Sequence, residues 1–531
     1  MDSYAGLGID TRLGDQCRQF LAGLPVTNVA AAHQAFGALL RGMHRSPPPA
    51  AEYLGVLESA RESLAFLQDA MATRYAAKPL PATGDEATAF EQAVELWRQM
   101  TDSYARVAQL GGADETIQQQ LALVCQRCVY YAGQTIIEHF RARHVVGAGF
   151  WLDLHGYYDT AEDWRLAEQP VADALDEDGA TVTAASTYAA VLLVDLANPY
   201  SRTPKEMVLI PRWARNMAAF TRIRRPDDNA GSRGYGIDLM QDSGVLPVDH
   251  LAATPSARLF HTAPLGDRVQ RLLSELKVGK NPASLGLGDC MAAQASRLLL
   301  QLYRPWCLAA MPRRFVRDQG SGSVLVAYDM EAIHFHIGGR EFAQPEHIRS
   351  FSRTEVDSMV TFGTMVESAK PVSLQTERRR HALDSWEVAD QSAYGFRLFR
   401  QPEGPRIEHS QLLALKAADA KRFVLGRVTW LVLERDGRLQ AGIQVLPHKP
   451  AAVSVRPTGL AVSPNEKYVR GFVLPAVPAQ KEPVSVIVPT GWFAPGRIVE
   501  VFTDRQVRVK LGTLLLQGTN FERCSFTLVQ S

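Results

Sequence analysis

Arginine side chains are the clearest candidates for binding chemistry in this sequence, and they occur in two clusters. One is the contiguous triplet Arg378-Arg379-Arg380, and the other is an Arg-x-x-x-Arg pattern formed by Arg313 and Arg317. The planar guanidinium carries five donors and can pair with a phosphate or with the O6 and N7 atoms of guanine while it stacks on an aromatic base. The simpler interpretations are a solvated basic turn beside a strand for the triplet and the polar exit of a helix for the pair.

A short acidic motif follows the triplet and adds the complementary acceptor chemistry. It reads Asp390-Gln391-Ser392-Ala393-Tyr394-Gly395, which is an Asp-x-Ser-x-x-Gly pattern. The Asp390 carboxylate only accepts hydrogen bonds, and the Ser392 hydroxyl both donates and accepts. An Asx-type turn that ends a strand is the alternative interpretation, because these side chains often cap backbone donors.

Strand patterns surround this motif and predict a barrel. Alternating residues across 422–445, interrupted by Asp436-Gly437, indicate a β-hairpin. Further strands are predicted at Val484–Val488, Ile498–Phe502, Val507–Leu511 and Phe526–Val529. The back half of the chain therefore has the pattern of β-barrel material.

Between Gln375 and Val445 the sequence resembles the PilZ family. That family combines an arginine cluster, an Asp/Asn-x-Ser-x-x-Gly motif and a Gly-x-Val-x-Trp strand, which here are Arg378–Arg380, Asp390–Gly395 and Gly426–Trp430, followed by Gly442-Ile443-Gln444. The resemblance implies a small barrel that binds cyclic di-GMP. Asp390 and Ser392 would then read a guanine edge, and Gly395 would permit a turn that a Cβ would block.

A second arginine set makes the number of barrels an open question. The triplet lies closer to Asp390 than the family's Arg-x-x-x-Arg motif usually does, whereas Arg313 and Arg317 lead into a different β-region at Val324–Phe342. The counterpart of the serine motif there, Asp329–His334, lacks serine and glycine. We interpret this region as a second, degenerate barrel, and either arginine set, or both, would bind the ligand.

The first three hundred residues have helical periodicity. Two apolar stripes recur at helical spacing, and they consist of Leu57, Ala60, Leu64, Leu67 and Met71, and of Leu121, Val124, Cys125, Cys128, Val129, Ala132 and Ile136. We predict a long loop at Arg224–Gly244, strands at Ser323–Tyr328 and Ala332–Ile337, and a helix at Glu355–Glu367. The expected fold is α+β and multidomain, with an all-α helical N-terminal half followed by a C-terminal half that contains one PilZ-like β-barrel or two in tandem. The predicted segments are a helical domain at 1–250, a helical connector at 251–310, a degenerate PilZ-like region at 311–370, a PilZ-like barrel at 371–450 and a β-rich domain at 451–531.

Composition excludes several classes of protein. The 531 residues carry 57 basic and 56 acidic side chains, so no global field favours a nucleic-acid polymer. We expect no transmembrane segment and a cytoplasmic location. Cys125 and Cys128 are predicted to be buried core thiols, and His334 and His336 are predicted to alternate on one face of a strand, with no third ligand that would make a metal site.

These patterns together predict a non-enzymatic, cytoplasmic bacterial effector of signal transduction. It would bind cyclic di-GMP through Arg378, Arg379, Arg380, Asp390, Ser392 and Gly395, with Arg313 and Arg317 as the second set, and would need no cofactor. The helical half would contact an unidentified protein partner, and the resemblance implies outputs in motility, pili or biofilm formation. The alternatives are a degenerate PilZ-like interaction scaffold that binds no nucleotide, and an enzyme with its site in the helical half.

Overall fold

The fold is taken from a computed structural model of the 531-residue chain. It describes residues 8–175, 181–226, 234–308, 318–320, 322–345, 381–392, 394–458, 466–503 and 505–529. The chain divides into two units. The first comprises Met1–Lys78 and Ala82–Arg313, and the second comprises Pro79–Pro81 and Arg314–Ser531.

Helices make up most of the first unit, as the apolar periodicity predicts. They are α1 (Gly14–Ala22), α2 (Val29–Arg45), α3 (Ala50–Ala72), α4 (Gly84–Leu110), α5 (Glu115–Gln118), α6 (Leu121–Ala142), α7 (Phe150–Asp163), α8 (Ala184–Leu196), α9 (Pro204–Met217), α10 (Ala263–Lys277) and α11 (Ala292–Cys307). Reciprocal capping boxes start three of them: Thr83 with Glu86 begins α4, Thr183 with Ser186 begins α8, and Thr203 with Glu206 begins α9. Such caps satisfy the backbone N–H groups that a helix start leaves without partners.

Helix α6 is the centre of this unit and is buried along most of its length. One apolar core contains Cys125 and Val129, and a second contains Cys128 and Tyr131, so two faces of α6 contribute to different cores. At Gly133 an added Cβ would lie 2.5 Å from Val191, which shows how closely α8 approaches. No helix among the described residues is long and apolar enough to cross a membrane.

The first unit also contains short strands. They are β1 (Val171–Ala172), β2 (Thr181–Val182), β3 (Arg222–Arg224), β4 (Tyr235–Asp238), β5 (Leu246–Pro247) and β6 (Ala257–His261). The last four form an antiparallel sheet in the order β3-β6-β4-β5. The predicted loop at Arg224–Gly244 is therefore wrong in part, because Tyr235–Asp238 pairs with Ala257–Phe260.

The second unit begins with a closed barrel. Its strands are β7 (Asp318–Gln319), β8 (Ser323–Ala327), β9 (Asp384–Ser392), β10 (Gly395–Arg400), β11 (Leu412–Ala417), β12 (Val424–Leu433) and β13 (Leu439–Val445). The order is β10-β13-β12-β11-β8-β9, and β9 closes the ring because it pairs with both β8 and β10. The β12–β13 hairpin turns at Gly437, as the Asp-Gly signal predicts. Strand β8, from the region predicted as a separate degenerate barrel, lies in the same ring as the serine motif.

A second closed barrel follows directly. It consists of β14 (Ala451–Pro457), β15 (Val469–Leu474), β16 (Ser485–Val488), β17 (Ile498–Phe502), β18 (Gln506–Gln517) and β19 (Glu522–Leu528), in the order β14-β15-β16-β19-β18-β17. Apolar residues of both barrels, including Leu412, Leu425, Phe472 and Ile487, pack into one core. The predicted class, a helical half followed by tandem barrels, is confirmed.

One predicted strand of the second unit is a helix. Residues Met330–Gly338 form α12, so the strand predicted at Ala332–Ile337 is wrong. Asp329 caps the helix start through the Ala332 N–H, and Gly339 adopts a left-handed conformation with φ 70° at its end. These two caps favour a helix over the alternating pattern of apolar residues. The helix predicted at Glu355–Glu367 lies outside the described residues.

Candidate functional site

The serine motif forms the hairpin between β9 and β10. Ser392 pairs with Gly395 and Asp390 pairs with Arg397 across the two strands. The register then skips Ala389, because the next pair is Leu398 with Val388. An extra residue of this kind reverses the alternation of side chains, and it places Asp390 on the outer side with Arg397 while Val388 and Leu398 are buried.

Gly395 is required by strand packing and not by a turn conformation. It is the first residue of β10, and its φ is not among the positive values. An added Cβ would clash with the carbonyl oxygen of Ile443 on β13. The prediction that Gly395 serves a turn is therefore wrong, and the reason for the glycine is the close approach of the neighbouring backbone.

Ser392 supports the hairpin locally. Its hydroxyl oxygen lies 3.4 Å from the Tyr394 N–H, which donates to it, and 3.4 Å from the carbonyl oxygen of Gly395. Both contacts are long for hydrogen bonds, so they hold the hydroxyl only weakly. Ser392 is also half-buried and therefore partly accessible to solvent. The turn-supporting alternative is thus seen for Ser392, and a ligand contact remains a prediction.

Two arginines that the sequence reasoning missed lie on the same outer face. Arg397 is 41% exposed, its terminal nitrogen lies 3.7 Å from the Asp390 carboxylate, and its Nε donates to Gln440 at 3.2 Å. Arg427 donates to Gln444 at 3.4 Å. Since side chains two apart on a strand share a face, the spacing from Gly395 to Arg397 predicts that Arg397 lies on the same face as the motif's glycine. The two glutamine contacts hold both guanidinium groups against the sheet.

Trp430 completes this face. It pairs with Gly442 across β12 and β13, and its indole occupies the space where a Cβ on residue 442 would lie. Thr429 donates its hydroxyl to the Gly442 carbonyl at 2.9 Å. The Gly-x-Val-x-Trp element and the later Gly-Ile-Gln element of the sequence therefore meet in one place. We name the outer surface formed by Asp390, Ser392, Arg397, Arg427 and Trp430 the barrel face.

Both arginine clusters predicted from the sequence, Arg378–Arg380 and Arg313–Arg317, lie outside the described residues. The described residues that directly follow the two clusters lie in different places. Asp318 and Gln319, which follow the second cluster, pair through their backbones with Gln391 and Asp390. His381, which follows the triplet, stacks on Phe335 of α12 at 4.0 Å between ring centroids.

The other candidate residues of the sequence are structural. Cys125 and Cys128 are free and buried, as predicted, and burial raises the pKa of both thiols, that of Cys125 to about 11. His334 and His336 lie on α12 and not on a strand. The Nε2 of His334 lies 3.2 Å from the Val453 carbonyl oxygen. Within the described ranges, no group of three or more His, Cys, Asp or Glu side chains is placed to hold a metal.

Known families match both ends of the chain. Residues 15–227 match the model described as "Cyclic-di-GMP receptor FimW, N-terminal domain", and residues 453–529 match "FimW C-terminal beta-barrel domain". The first match lies in the helical unit and the second covers most of the second barrel. In the sequence, the residues of the barrel face lie between the two matched segments, so neither family model covers them.

One curated relative extends the similarity. The cyclic-di-GMP receptor FimW of Pseudomonas aeruginosa is 23% identical over 400 residues, which cover 67% of this chain and 64% of the relative. The match thus spans slightly less than two thirds of the relative's length.

Proposed function

We propose that this protein is a FimW-like receptor for cyclic di-GMP that binds its ligand on the barrel face and signals through the helical unit to a protein partner. The name of the relative and the two family matches support the ligand. The observation that carries the location is the outer face itself, on which an acidic acceptor, two arginines and an indole meet. Outputs in motility, pili or biofilm formation, and a cytoplasmic location, belong to the same proposal.

The chemistry of the barrel face suits a guanine and a phosphate. Asp390 would accept from the guanine N1–H and exocyclic amine, and Arg397 would turn from Asp390 towards a phosphate. The half-buried indole of Trp430 offers an aromatic surface to a base. Because Gln444 already orients Arg427, less side-chain entropy of that arginine would be lost on binding.

We rank Arg313 and Arg317 ahead of the triplet as candidate ligand contacts, because the residue that follows Arg317 is paired with the strand that carries the serine motif. Arg317 directly precedes Asp318, whose backbone is paired with Gln391, next to Asp390. Paired strands lie about 5 Å apart, and successive Cα atoms are separated by about 3.8 Å. Arg380, by contrast, precedes the start of β9, and from Asp384 to Asp390 that strand extends for about 20 Å.

Isothermal titration of the full-length protein with cyclic di-GMP tests this proposal, with GTP as the control for generic phosphate binding. We expect Asp390→Ala, and the double change Arg313→Ala with Arg317→Ala, each to weaken binding by about 1–3 kcal/mol for every charge-assisted hydrogen bond that the change removes. The triple change Arg378→Ala, Arg379→Ala and Arg380→Ala is the matched control, since it removes at least as much positive charge.

Two results would contradict parts of the proposal. Wild-type affinity in the Asp390 variant would remove the barrel face as the site. A larger loss of affinity in the triplet variant than in the Arg313 and Arg317 variant would assign the arginine role to Arg378–Arg380 instead.

The alternative function is a scaffold that binds no nucleotide. It is favoured by one observation: Asp390 and Ser392 already have partners within the protein, in Arg397 and in the hairpin backbone. A protein that fails to bind cyclic di-GMP in the titration, yet still associates with its partner, would establish this function.

A further inference from the structure

The helical unit contains a groove of its own, which no residue of the barrel face lines. Two cavities of about 410 and 450 Å³ adjoin α6 and α9, one extending towards α8 and the other towards α3 and α4. They share six lining residues, which are Tyr130, Gln134, Ile137, Pro211, Arg215 and Asn216. Because the lining is shared, the two cavities are adjacent, and we call them together the α6–α9 groove.

Two polar side chains of α6 line the groove with unused hydrogen-bonding capacity. Tyr130 is 9% exposed, and within the described part of the chain its hydroxyl has no hydrogen-bond partner. Gln134, one helical turn later, likewise makes no hydrogen bond to a described residue. Both polar groups reach solvent in the groove, so they are free to hydrogen-bond to a ligand that replaces that water.

The charge of the groove is positive. Arg215 donates to the Leu175 carbonyl at 3.3 Å, and the Arg268 guanidinium lies 5.8 Å from the centroid of the Phe220 ring. Among the described residues neither forms a hydrogen-bonded ion pair with a carboxylate, although Arg268 interacts with the charge of Glu275 on the same helix. The two acidic residues of the lining are already engaged. Asp173 pairs with Arg61 at 2.7 Å and Asp69 pairs with Arg141 at 3.2 Å.

The aromatic and apolar lining distinguishes between anionic ligands. The guanidinium groups of Arg61 and Arg215 lie 5.5 and 5.9 Å from the centroid of the Tyr130 ring, so two cations already lie over the ring on which a nucleobase would have to stack. Ile137, Val191 and Val194 instead provide an aliphatic wall. An apolar side chain flanked by carboxylates fits this combination better than a nucleotide does.

We propose that the α6–α9 groove binds an acidic peptide segment of a protein partner. One apolar side chain of the segment occupies the cavity beside α8, and its carboxylates pair with Arg215 and Arg268. The Tyr130 hydroxyl and the Gln134 amide bond to the peptide backbone. The choice of a protein segment as the ligand rests on the proposed function, in which the helical unit contacts a protein partner.

Selection of phage-displayed random dodecapeptides on the full-length protein tests this proposal. Selected peptides should be enriched in Asp and Glu around an apolar residue. Fluorescence anisotropy of one labelled, synthesised peptide should then show about tenfold weaker binding for each of Arg215→Ala and Arg268→Ala, the usual effect of losing a charge-assisted hydrogen bond. Tyr130→Phe, which retains the buried ring, should weaken binding by about threefold to tenfold.

Arg271→Ala is the matched control, because Arg271 is exposed on the same helix as Arg268 and does not line the groove. The proposal is overturned if the library yields no binder, if the selected peptides are not acidic, or if Arg271→Ala weakens binding as much as Arg268→Ala. Displacement of the peptide by inorganic phosphate or GMP would also overturn it, in favour of a small-anion site. Titration of the same variants with cyclic di-GMP separates this proposal from that of the barrel face, since each can fail while the other holds.

Discussion

The buried ion pairs beneath the α6–α9 groove make a quantitative prediction about stability. Arg61 and Arg127 face Glu58 and Asp173, and all but Glu58 are almost fully buried. Arg61 meets Asp173 at 2.7 Å, and Arg127 binds Glu58 through two nitrogens at 2.9 Å each. Two cations and two anions therefore balance in a region with little water.

Asp173→Asn removes one charge and keeps the size of the side chain. Arg61 is 0% exposed and Asp173 is 3% exposed, so the change leaves a buried cation with only the more distant carboxylate of Glu58, at 3.9 Å. Breaking a buried pair by removing one partner costs about 3–5 kcal/mol. The retained amide oxygen can still accept from Arg61, so we expect about 3 kcal/mol, the lower end of that range.

Asp69→Asn is the matched control. Asp69 pairs with Arg141 at 3.2 Å but is 76% exposed, and exposed pairs contribute about 0–1 kcal/mol. Urea unfolding of the full-length protein, followed by far-UV circular dichroism, reports mainly on the helices, and the two units can unfold in separate transitions. Equal shifts of the helical transition in the two variants, or a destabilisation below about 1 kcal/mol for Asp173→Asn, would refute the reasoning about burial.

Three further predictions concern pH and close contacts. Burial alone would raise the pKa of Asp173, but the hydrogen bond and the charge of Arg61 outweigh burial and lower the pKa. The stabilisation by this ion pair is therefore present above the ordinary carboxyl pKa near pH 4 and is lost when the pH falls through the lowered pKa. Acid titration of helicity should show a smaller loss of stability in Asp173→Asn than in the wild type. Gly442→Ala should displace the Trp430 indole and weaken cyclic di-GMP binding in calorimetry, and unchanged affinity would argue against a ligand contact of that ring. Gly395→Ala should force β10 away from Ile443 at a cost of about 1–3 kcal/mol, seen as faster hydrogen exchange in the β9–β10 hairpin; unchanged exchange would contradict the close approach.

Local signals predicted many of the strands and helices. The Asp436-Gly437 hairpin combines alternation with a favoured turn, and both lie within one short segment. The alternation of apolar residues predicts a strand at Ala332–Ile337, although Asp329 and Gly339 are good caps for a helix. A search for caps before alternation would have identified α12.

The barrel face was only partly predictable. The sequence named Asp390, Ser392 and Trp430 through a family pattern, but the pairing of Arg397 with Gln440 depends on the register of β10 with β13. Such a register is set by contacts between strands distant in sequence. The bulge at Ala389 also reverses the alternation just before Asp390, so counting by twos from Val388 gives the wrong face.

The distance between the arginine pair and the serine motif shows why spacing in sequence is a poor guide here. Arg317 and Asp390 are separated by the whole segment between β8 and β9, which the family pattern does not contain. Yet β8 and β9 are hydrogen-bonded neighbours, and Asp318 pairs directly with Gln391. An insertion between two adjacent strands lengthens the sequence distance and leaves their register unchanged. The register, and not the residue count, is therefore the reason to test Arg313 and Arg317 before the triplet.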